Sequence, residues 1–393
     1  MTRRRKRTRS TKRRKVSTQS VIVTLLILFG LYLYQSGILQ DLLDQWGVSI
    51  TLSPADTPAE GPVVVGDGEI QAFFTTPHLI YPDRENQRRP PPVLTSLIED
   101  IEAAQSSIDV AVFDLDIIEV TEALVAAQQR GVRVRVVLDS ENLDTPEVSE
   151  QTGQLEAAGA GLGFDEREPF MHHKFLIIDE SITWAGSWNL TTNGTYRNNN
   201  NMVRFNNNEI ATTYTDEFQQ MFDGAYGVHK TSVASYPSVQ IGETQVQMHF
   251  SPTDETEKHI IEQLQQAQSS IRFMAFSYTL DSIADVMLEK MQSGVTVQGV
   301  FEKRNASGTG SEFERLRGDG EYVLVDGNCY VMHHKVIIID ERIVLTGSYN
   351  FSASAENSND ENLITLIDPT LAQAYIDEFE RVYEQAKTPL RCN

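Results

Sequence analysis

Two stretches of this chain carry the same polar pattern 161 residues apart. His172-His173-Lys174 runs through Phe175–Ile178 to Asp179 and closes on Gly186-Ser187-Trp188-Asn189. His333-His334-Lys335 runs through Val336–Ile339 to Asp340 and closes on Gly347-Ser348-Tyr349-Asn350. Both read H-x-K-x4-D-x6-G-S-x-N. One H-x-K is noise in a chain of this length, whereas two copies with identical spacing imply two equivalent half-sites. Free imidazole titrates near about 6.5, so one of two paired rings can be neutral and nucleophilic while the other holds a proton. That pair suits displacement at phosphorus. One ring attacks and forms a phosphohistidine; the other protonates the departing alcohol and then activates water. Lys174 and Lys335 supply positive charge for the non-bridging oxygens, and Ser187, Asn189, Ser348 and Asn350 supply neutral donors. The scheme needs no metal or other cofactor. A second alcohol in place of water would give transfer instead of hydrolysis.

The pattern also sorts neighbours by role. Side chains alternate along a strand, so His172 and Lys174 share one face, as do His333 and Lys335, while His173 and His334 point away as structural histidines. Asp179 and Asp340 fall at strand ends, where their task is to fix the motif by hydrogen bonding. Glu361 lies 28 residues after His333, and Asn200 stands at the same offset after His172. A carboxylate on the far ring nitrogen fixes the tautomer and raises basicity, which makes His333 the more basic ring on this reading.

The elements that must hold these residues recur at nearly the same offset. Ala104–Ile108 (AQSSI) returns as Ala267–Ile271, and Gly131-Val132 as Gly294-Val295. The first copy reads as helix 93–104, strand 108–113, helix 120–130 and strand 132–138. The second reads as helix 260–267, strand 271–276, helix 283–292 and strand 295–301. The apolar runs 175–178 and 336–339 are buried strands, with 182–185 and 343–346 as their neighbours, and 216–222 and 371–385 are closing helices. Helices alternating with apolar strands predict an α/β fold with sheets covered on both faces. The Asn runs at 198–201 and 206–208 read as loops without chemistry of their own. The boundaries that follow are a first repeat over 69–230, a junction over 231–240 and a second repeat over 241–393.

Ahead of the repeats lies a different kind of sequence. Residues 1–15 hold ten of the chain's 33 basic residues and no acid, so the net charge of -22 divides into this basic run and a body of 23 basic and 55 acidic residues. Val21–Leu39 is apolar, and its nineteen residues as a helix reach roughly 28 Å, close to the thickness of a bilayer core. The reading is a basic cytoplasmic tail over 1–20, a single transmembrane helix over 21–39 and a Pro/Gly-rich acidic tether over 40–68. The positive-inside rule then puts the repeats on the extracytoplasmic side. A cleaved signal peptide, and a secreted protein, is the alternative. The acidic body repels polyanions and shows no Lys/Arg cluster of the kind nucleic-acid binders carry. The two cysteines, Cys329 and Cys392, lack zinc-site spacing; they either bridge or stay free.

The duplicated H-x-K-x4-D motif resembles the signature of the phospholipase D superfamily over roughly residues 70–390. The resemblance implies two tandem α/β/α sandwich repeats about a pseudo-twofold axis, with one active site between them. It implies a catalytic set of His172, Lys174, Asp179, His333, Lys335, Asp340 and Glu361, a phosphate pocket of Ser187, Asn189, Ser348 and Asn350, and a phosphohistidine intermediate. Asn200 departs from the acidic residue often found at its position. The expected function is a membrane-anchored phospholipase D-type phosphodiesterase with phospholipid and membrane as partners. The alternatives are a nuclease acting on nucleic acid and a cardiolipin synthase-like phosphatidyl transferase.

Overall fold

A computed structural model describes residues 61–233, 237–318, 322–389 and 391–392. The basic tail, the expected transmembrane helix and the tether up to residue 60 lie outside the described residues. Among those described, no helix is long and apolar enough to cross a membrane.

Two eight-stranded sheets share one strand order. The first repeat contributes β1 (Val63–Val65), β2 (Ile70–Phe74), β3 (Ser107–Val112), β4 (Arg133–Asp139), β5 (Gly161–Asp165), β6 (Lys174–Ile178), β7 (Ile182–Gly186), β8 (Asn198–Asn199) and β9 (Asn201–Asn206). The second contributes β10 (Ser238–Ile241), β11 (Thr244–Ser251), β12 (Ser270–Ala275), β13 (Thr296–Phe301), β14 (Val323–Val325), β15 (Val331–Met332), β16 (Lys335–Ile339), β17 (Ile343–Gly347) and β18 (Glu361–Ile367). The orders are β1-β2-β9-β7-β6-β3-β4-β5 and β10-β11-β18-β17-β16-β12-β13-β14, equivalent strand for strand. In each sheet the β3/β4 or β12/β13 pair is parallel and bridged by a helix, Ile118–Gln129 or Asp281–Gln292. Such strands are covered on both faces, which is why β3 and β6 are buried at every position.

Three apolar cores fill the layers. The outer two lie under the helices Pro92–Ala103 and Ile118–Gln129 in the first repeat, and under Thr256–Gln265 and Asp281–Gln292 in the second. The middle core is shared. The helices Asn208–Phe222 and Pro369–Lys387 pack between the inner faces of both sheets, with Tyr214, Phe218, Phe250, Tyr375 and Phe379 all at most 1% exposed. Aromatic contacts cross the repeats in both directions: Phe74 meets Tyr375 at 5.0 Å and Tyr214 meets Phe250 at 5.2 Å. Reciprocal contacts of this kind are what a twofold relation produces.

The motif's end residues have local jobs. Asp179 closes β6 in a left-handed conformation (φ 51°) that a short polar side chain tolerates. Its carboxylate accepts from the amides of Gln105, Ser106 and Ser107, tying the turn after β6 to the start of β3. Asp340 repeats this with Gln268, Ser269 and Ser270. Gly186 and Gly347 have a steric reason: a Cβ at either would lie 2.3 Å from the carbonyl oxygen of Asn201 or Asn362. Backbone approach that close admits only glycine.

Most expected elements lie within a few residues of their predicted limits, and the differences are informative. The tether over 40–68 ends early, because Val63–Val65 already pairs with β2 as an edge strand. The second sheet likewise begins at Ser238, inside the segment read as a junction. The closing helix expected over 216–222 starts at Asn208, capped by Asn207, whose side chain accepts from the amides of Glu209 and Ile210. The Asn-rich runs are not loops: Asn201–Asn206 is a central strand between β2 and β7. Asparagine has weak strand propensity, but here its side chains find buried partners and tertiary context overrides the tendency. Cys329 and Cys392 are bridged, with Cα atoms 5.4 Å apart. Replacing Gly347 with alanine is expected to cost about 2 kcal/mol or more by forcing β17 off β18, readable as a lowered urea midpoint at unchanged m-value.

Candidate active site

His172 and His333 each sit just before a strand of their own repeat and are pinned by backbone of the other. His172 N donates to Asp360 O at 2.9 Å, and Asp360 N donates back to Phe170 O at 2.9 Å. Across the axis, His333 N donates to Asn199 O at 3.0 Å, and β15 pairs with β8 in parallel. The rings are held by what lies beside that exchanged backbone. His172 Nδ1 donates to Glu361 Oε2 at 2.8 Å. His333 Nδ1 faces two neutral acceptors, Asn200 Oδ1 at 3.0 Å and Ser187 O at 3.1 Å. Both bonds put the ring proton on Nδ1, so each Nε2 carries a free lone pair when neutral.

This arrangement corrects one expectation. Glu361 supports His172, not the His333 of its own repeat, and Asn200 supports His333. The spacing had identified Glu361 as a ring partner, but the sites are exchanged between repeats. His172, with a carboxylate partner, is therefore the ring better able to carry positive charge. Asn200, placed in a loop without chemistry, is a direct ring partner.

The lysines complete the set. Lys174 is fully buried and Lys335 1% exposed. Each ammonium donates to its own motif's histidine carbonyl, Lys174 Nζ to His172 O at 2.6 Å and Lys335 Nζ to His333 O at 2.9 Å. Each also lies over a ring that is in edge contact with that histidine, Phe113 at 5.3 Å and Phe276 at 4.6 Å. Ser187 Oγ donates to Asn200 Oδ1 at 2.9 Å, and Ser348 bonds the Glu361 carboxylate. The side-chain oxygens of the half-buried Asn189 and Asn350 have no partner. Asp179 and Asp340 lie at the far ends of β6 and β16 and bond only the turns there, the hydroxyls of Ser106 and Ser269 as well as the backbone.

His173 and His334 point into the shared core, as alternation predicts. His173 bonds Glu217 at 3.0 Å and His334 bonds Glu378 at 2.9 Å. Their other nitrogens accept across the axis, from Asn362 and Asn201.

One feature is ionic on one side only. Asp360, fully buried, accepts from Arg167 Nη2 at 2.5 Å and from Gly227 N at 2.8 Å, and it pairs with the buried Lys230 at 2.6 Å. Lys230 also pairs with Glu217. At the equivalent place in the first repeat, Asn199 Oδ1 accepts from Asn328. Sequence reading missed Arg167, Lys230 and Asp360. The only signal was positional, since Asp360 precedes Glu361 as Asn199 precedes Asn200.

The electrostatics are those of a buried cluster of basic side chains. Burial first, then the charges of Lys174 and Lys335, hold the His172 ring well below the usual histidine range; burial, Lys335 and Lys174 do the same to His333. Burial brings Lys174 down to about 7 and pushes Lys335 lower as well, the latter aided by the Lys174 charge. Burial raises Glu361 to about 7, with Lys174 opposing. Among the described residues, no three His, Cys, Asp or Glu side chains group as metal ligands. The cluster holds more basic groups than acidic ones, a balance that suits an anion.

The comparisons with known proteins agree with this architecture. Residues 97–222 and 260–383 each match the family model described as "Cardiolipin synthase, PLD-like domain". The chain is 32% identical over 138 residues to the mitochondrial cardiolipin hydrolase of Chlamydomonas reinhardtii, covering 35% of this chain and 62% of that protein. It thus spans about three-fifths of the length of that relative. It is 28% identical over 155 residues to the phospholipase D of Rickettsia typhi, covering 39% of this chain and 76% of that one. A phosphatidylserine synthase structure from Haemophilus influenzae overlays 83% of this chain and 89% of its own with a TM-score of 0.59 at 13% identity, a likeness of fold. The protein belongs to the phospholipase D superfamily.

Two outcomes follow from the site. Asp360→Asn removes one of the two carboxylates that each of Arg167 and Lys230 meets, leaving Asp165 and Glu217, and is expected to destabilise the fold by about 2 kcal/mol, measured by urea denaturation. The second concerns pH. The native histidine values lie below the unfolded one, so the unfolded chain binds more protons as pH falls through about 6.5, and stability is lost there. Glu361, Asp114 and Asp139, with raised native values, work in the opposite sense and offset part of that loss. Tungstate or orthovanadate should raise Tm in scanning calorimetry, with a larger increment at about pH 5.5 than at about pH 8, because a bound anion favours protonated rings.

Proposed function

We propose that this protein is a membrane-anchored phospholipase D-type phosphodiesterase that hydrolyses phospholipid headgroups through a phosphohistidine. The observation that carries the chemistry is the exchange that joins both histidine–lysine pairs in one buried site with a single carboxylate, on His172. Phosphorylating Nε2 of a ring protonated at Nδ1 makes that ring cationic. A carboxylate stabilises that charge better than two carbonyl oxygens do. His172 is therefore the nucleophile. His333 protonates the departing alcohol and then removes a proton from the attacking water. Water attack breaks the N–P bond, returns His172 and releases the phosphomonoester. Lys174 and Lys335 balance the charge on the non-bridging oxygens.

Lipid is favoured as substrate by the acidic body, which opposes a polyanion, and by the names of the relatives, phospholipase D and mitochondrial cardiolipin hydrolase. The apolar run at 21–39 would keep the site beside a bilayer. The Cys329–Cys392 bridge supports an oxidising, extracytoplasmic location.

Full-length protein in detergent, offered phosphatidylcholine, phosphatidylglycerol and plasmid DNA, is expected to release headgroup and leave DNA intact. DNA cleavage without lipid turnover would reverse the reading. With bis-p-nitrophenyl phosphate, His333→Ala should release a burst of one nitrophenol and accumulate a p-nitrophenylphosphoryl group on His172 by mass spectrometry. Turnover should fall by about 10²-fold or more. The same group on His333 in the converse variant, His172→Ala, would sink the assignment.

A further inference from the structure

Two loops hold the residues whose carbonyls take the histidine amides, and they start alike. After β5, Asp165 Oδ1 accepts from Arg167 N at 3.0 Å; after β14, at the same 161-residue offset, Asp326 Oδ1 accepts from Asn328 N at 2.8 Å. Each loop then reaches across to the other repeat. Arg167 donates to the Asp360 carboxylate, and Asn328 Nδ2 donates to Asn199 Oδ1 at 2.6 Å. Asp360 O and Asn199 O are the acceptors that pin His172 and His333.

What ties each loop down differs. In the first repeat the tail after the helix Asn208–Phe222 brings Lys230 to Asp360 and Glu217, all three buried. In the second, the tail after the helix Pro369–Lys387 has Arg391 at the place of Lys230, and that residue is exposed. Glu378, the counterpart of Glu217, is met by Arg381 instead. Asn199 is neutral and offers no charge for an ionic lock. There the tie is covalent: Cys392, next to Arg391, is bridged to Cys329, next to Asn328. Loop and tail are also pressed together, since a Cβ on Gly327 would run into Gln385 O and lie 3.1 Å from Pro389 Cα. From Cys329 the chain passes through Tyr330, whose amide donates to Asn328 Oδ1 at 2.9 Å, and through β15 to His333, four residues on. A bridge that only stabilised the fold would have no reason to fall at the counterpart of the ionic lock.

The bond is open to chemistry. Cys392 is exposed, Cys329 is half-buried, and they are the chain's two cysteines, so a reductant acts on this bond alone. A dithiol attacks as a thiolate and breaks the bridge. Its two electrons pass to the protein, its own sulfurs end joined as a disulfide, and Cys329 and Cys392 are left as thiols. What then holds the loop is neutral: the bonds of Asn328, the Tyr330 hydroxyl accepting from Asp83 N at 2.8 Å, and the two-residue pairing of β15 with β8. Neutral hydrogen bonds are roughly half as strong as charge-assisted ones. His172 keeps its ionic lock.

We propose that the Cys329–Cys392 bridge is a positioning bond for His333 that makes turnover depend on oxidation, full with the bridge closed and slow with it open. The inference rests on the roles proposed for His172 and His333 and adds a regulation to that site. Such a bond keeps activity low in the reducing compartment where the chain is made and raises it once the bridge forms outside.

The test compares full-length protein in detergent in three forms: oxidised, reduced with dithiothreitol, and Cys392→Ser. With bis-p-nitrophenyl phosphate, the steady-state rate should fall about tenfold in the last two forms while the burst of one nitrophenol persists. Nitrophenol leaves with little help from an acid, whereas water attack needs the His333 base. Oxidised glutathione should restore the rate of the reduced wild type and leave Cys392→Ser slow. Amide exchange read by mass spectrometry reports position directly. Opening the bridge should speed exchange over 331–335 about tenfold and leave 170–174 unchanged. The proposal is overturned if exchange over 331–335 does not move, or if the rate stays within about twofold of the oxidised value. It is overturned too if exchange rises throughout the second repeat while burst and rate fall together, the signature of a bridge that only stabilises the fold. If exchange rises over 331–335 alone and the burst is lost with the rate, the positioning stands and the roles assigned to the two rings fail. If the oxidised wild type turns over no diester, the phosphodiesterase reading fails, and the exchange comparison decides the positioning.

Discussion

The backbone exchange between repeats is the constraint on which the rest of the structure depends. At two equivalent points a histidine amide of one repeat donates to the residue ahead of β18 or β9 in the other. A hydrogen bond of this kind contributes only about 1 kcal/mol net, but it fixes register, and register decides which side chain stands beside each ring. One residue along from the exchanged carbonyl stands the ring's partner, Glu361 or Asn200. One further along stands the asparagine that reaches into the shared core to His173 or His334. The active site and the interface between repeats are thus the same three-residue ladder, used twice.

That ladder explains how four basic side chains tolerate burial. None is paired with a dedicated countercharge, save His172 with Glu361. Instead each lysine is anchored to a carbonyl and an aromatic face, and burial holds each imidazole toward its neutral form. Such an arrangement is costly for the fold. The compensating stability comes from the shared middle core and from the buried ions around Asp360.

The twofold relation is broken where function requires it. A carboxylate at 361 and a carboxamide at 200 give the two rings different capacities for positive charge. The ionic ring of Arg167, Asp360 and Lys230 secures the side bearing the carboxylate; neutral asparagines secure the other. The disulfide likewise belongs to the second repeat. At the positions of Cys329 and Cys392, the first carries Glu168 and Thr231.

What the sequence determined by itself was local and periodic. Alternation along β6 and β16 put His172 with Lys174 and turned His173 away, and the repeat offset set the order of helices and strands. The spacing also named Glu361 as a ring partner and marked Asn200 as its counterpart by offset. It assigned Glu361 to the wrong ring, because an offset counted within one repeat is the same whether the contact closes within that repeat or across to its twin. The Asn runs were opaque for a related reason: asparagine favours loops until a buried donor or acceptor awaits it, and here His333, His334, Thr346 and Tyr375 supply such groups from more than a hundred residues away. The pairing of Glu361 with His172 and the cation ring on Asp360 are contacts through space between distant segments. Only the packing of one sheet against the other decides them.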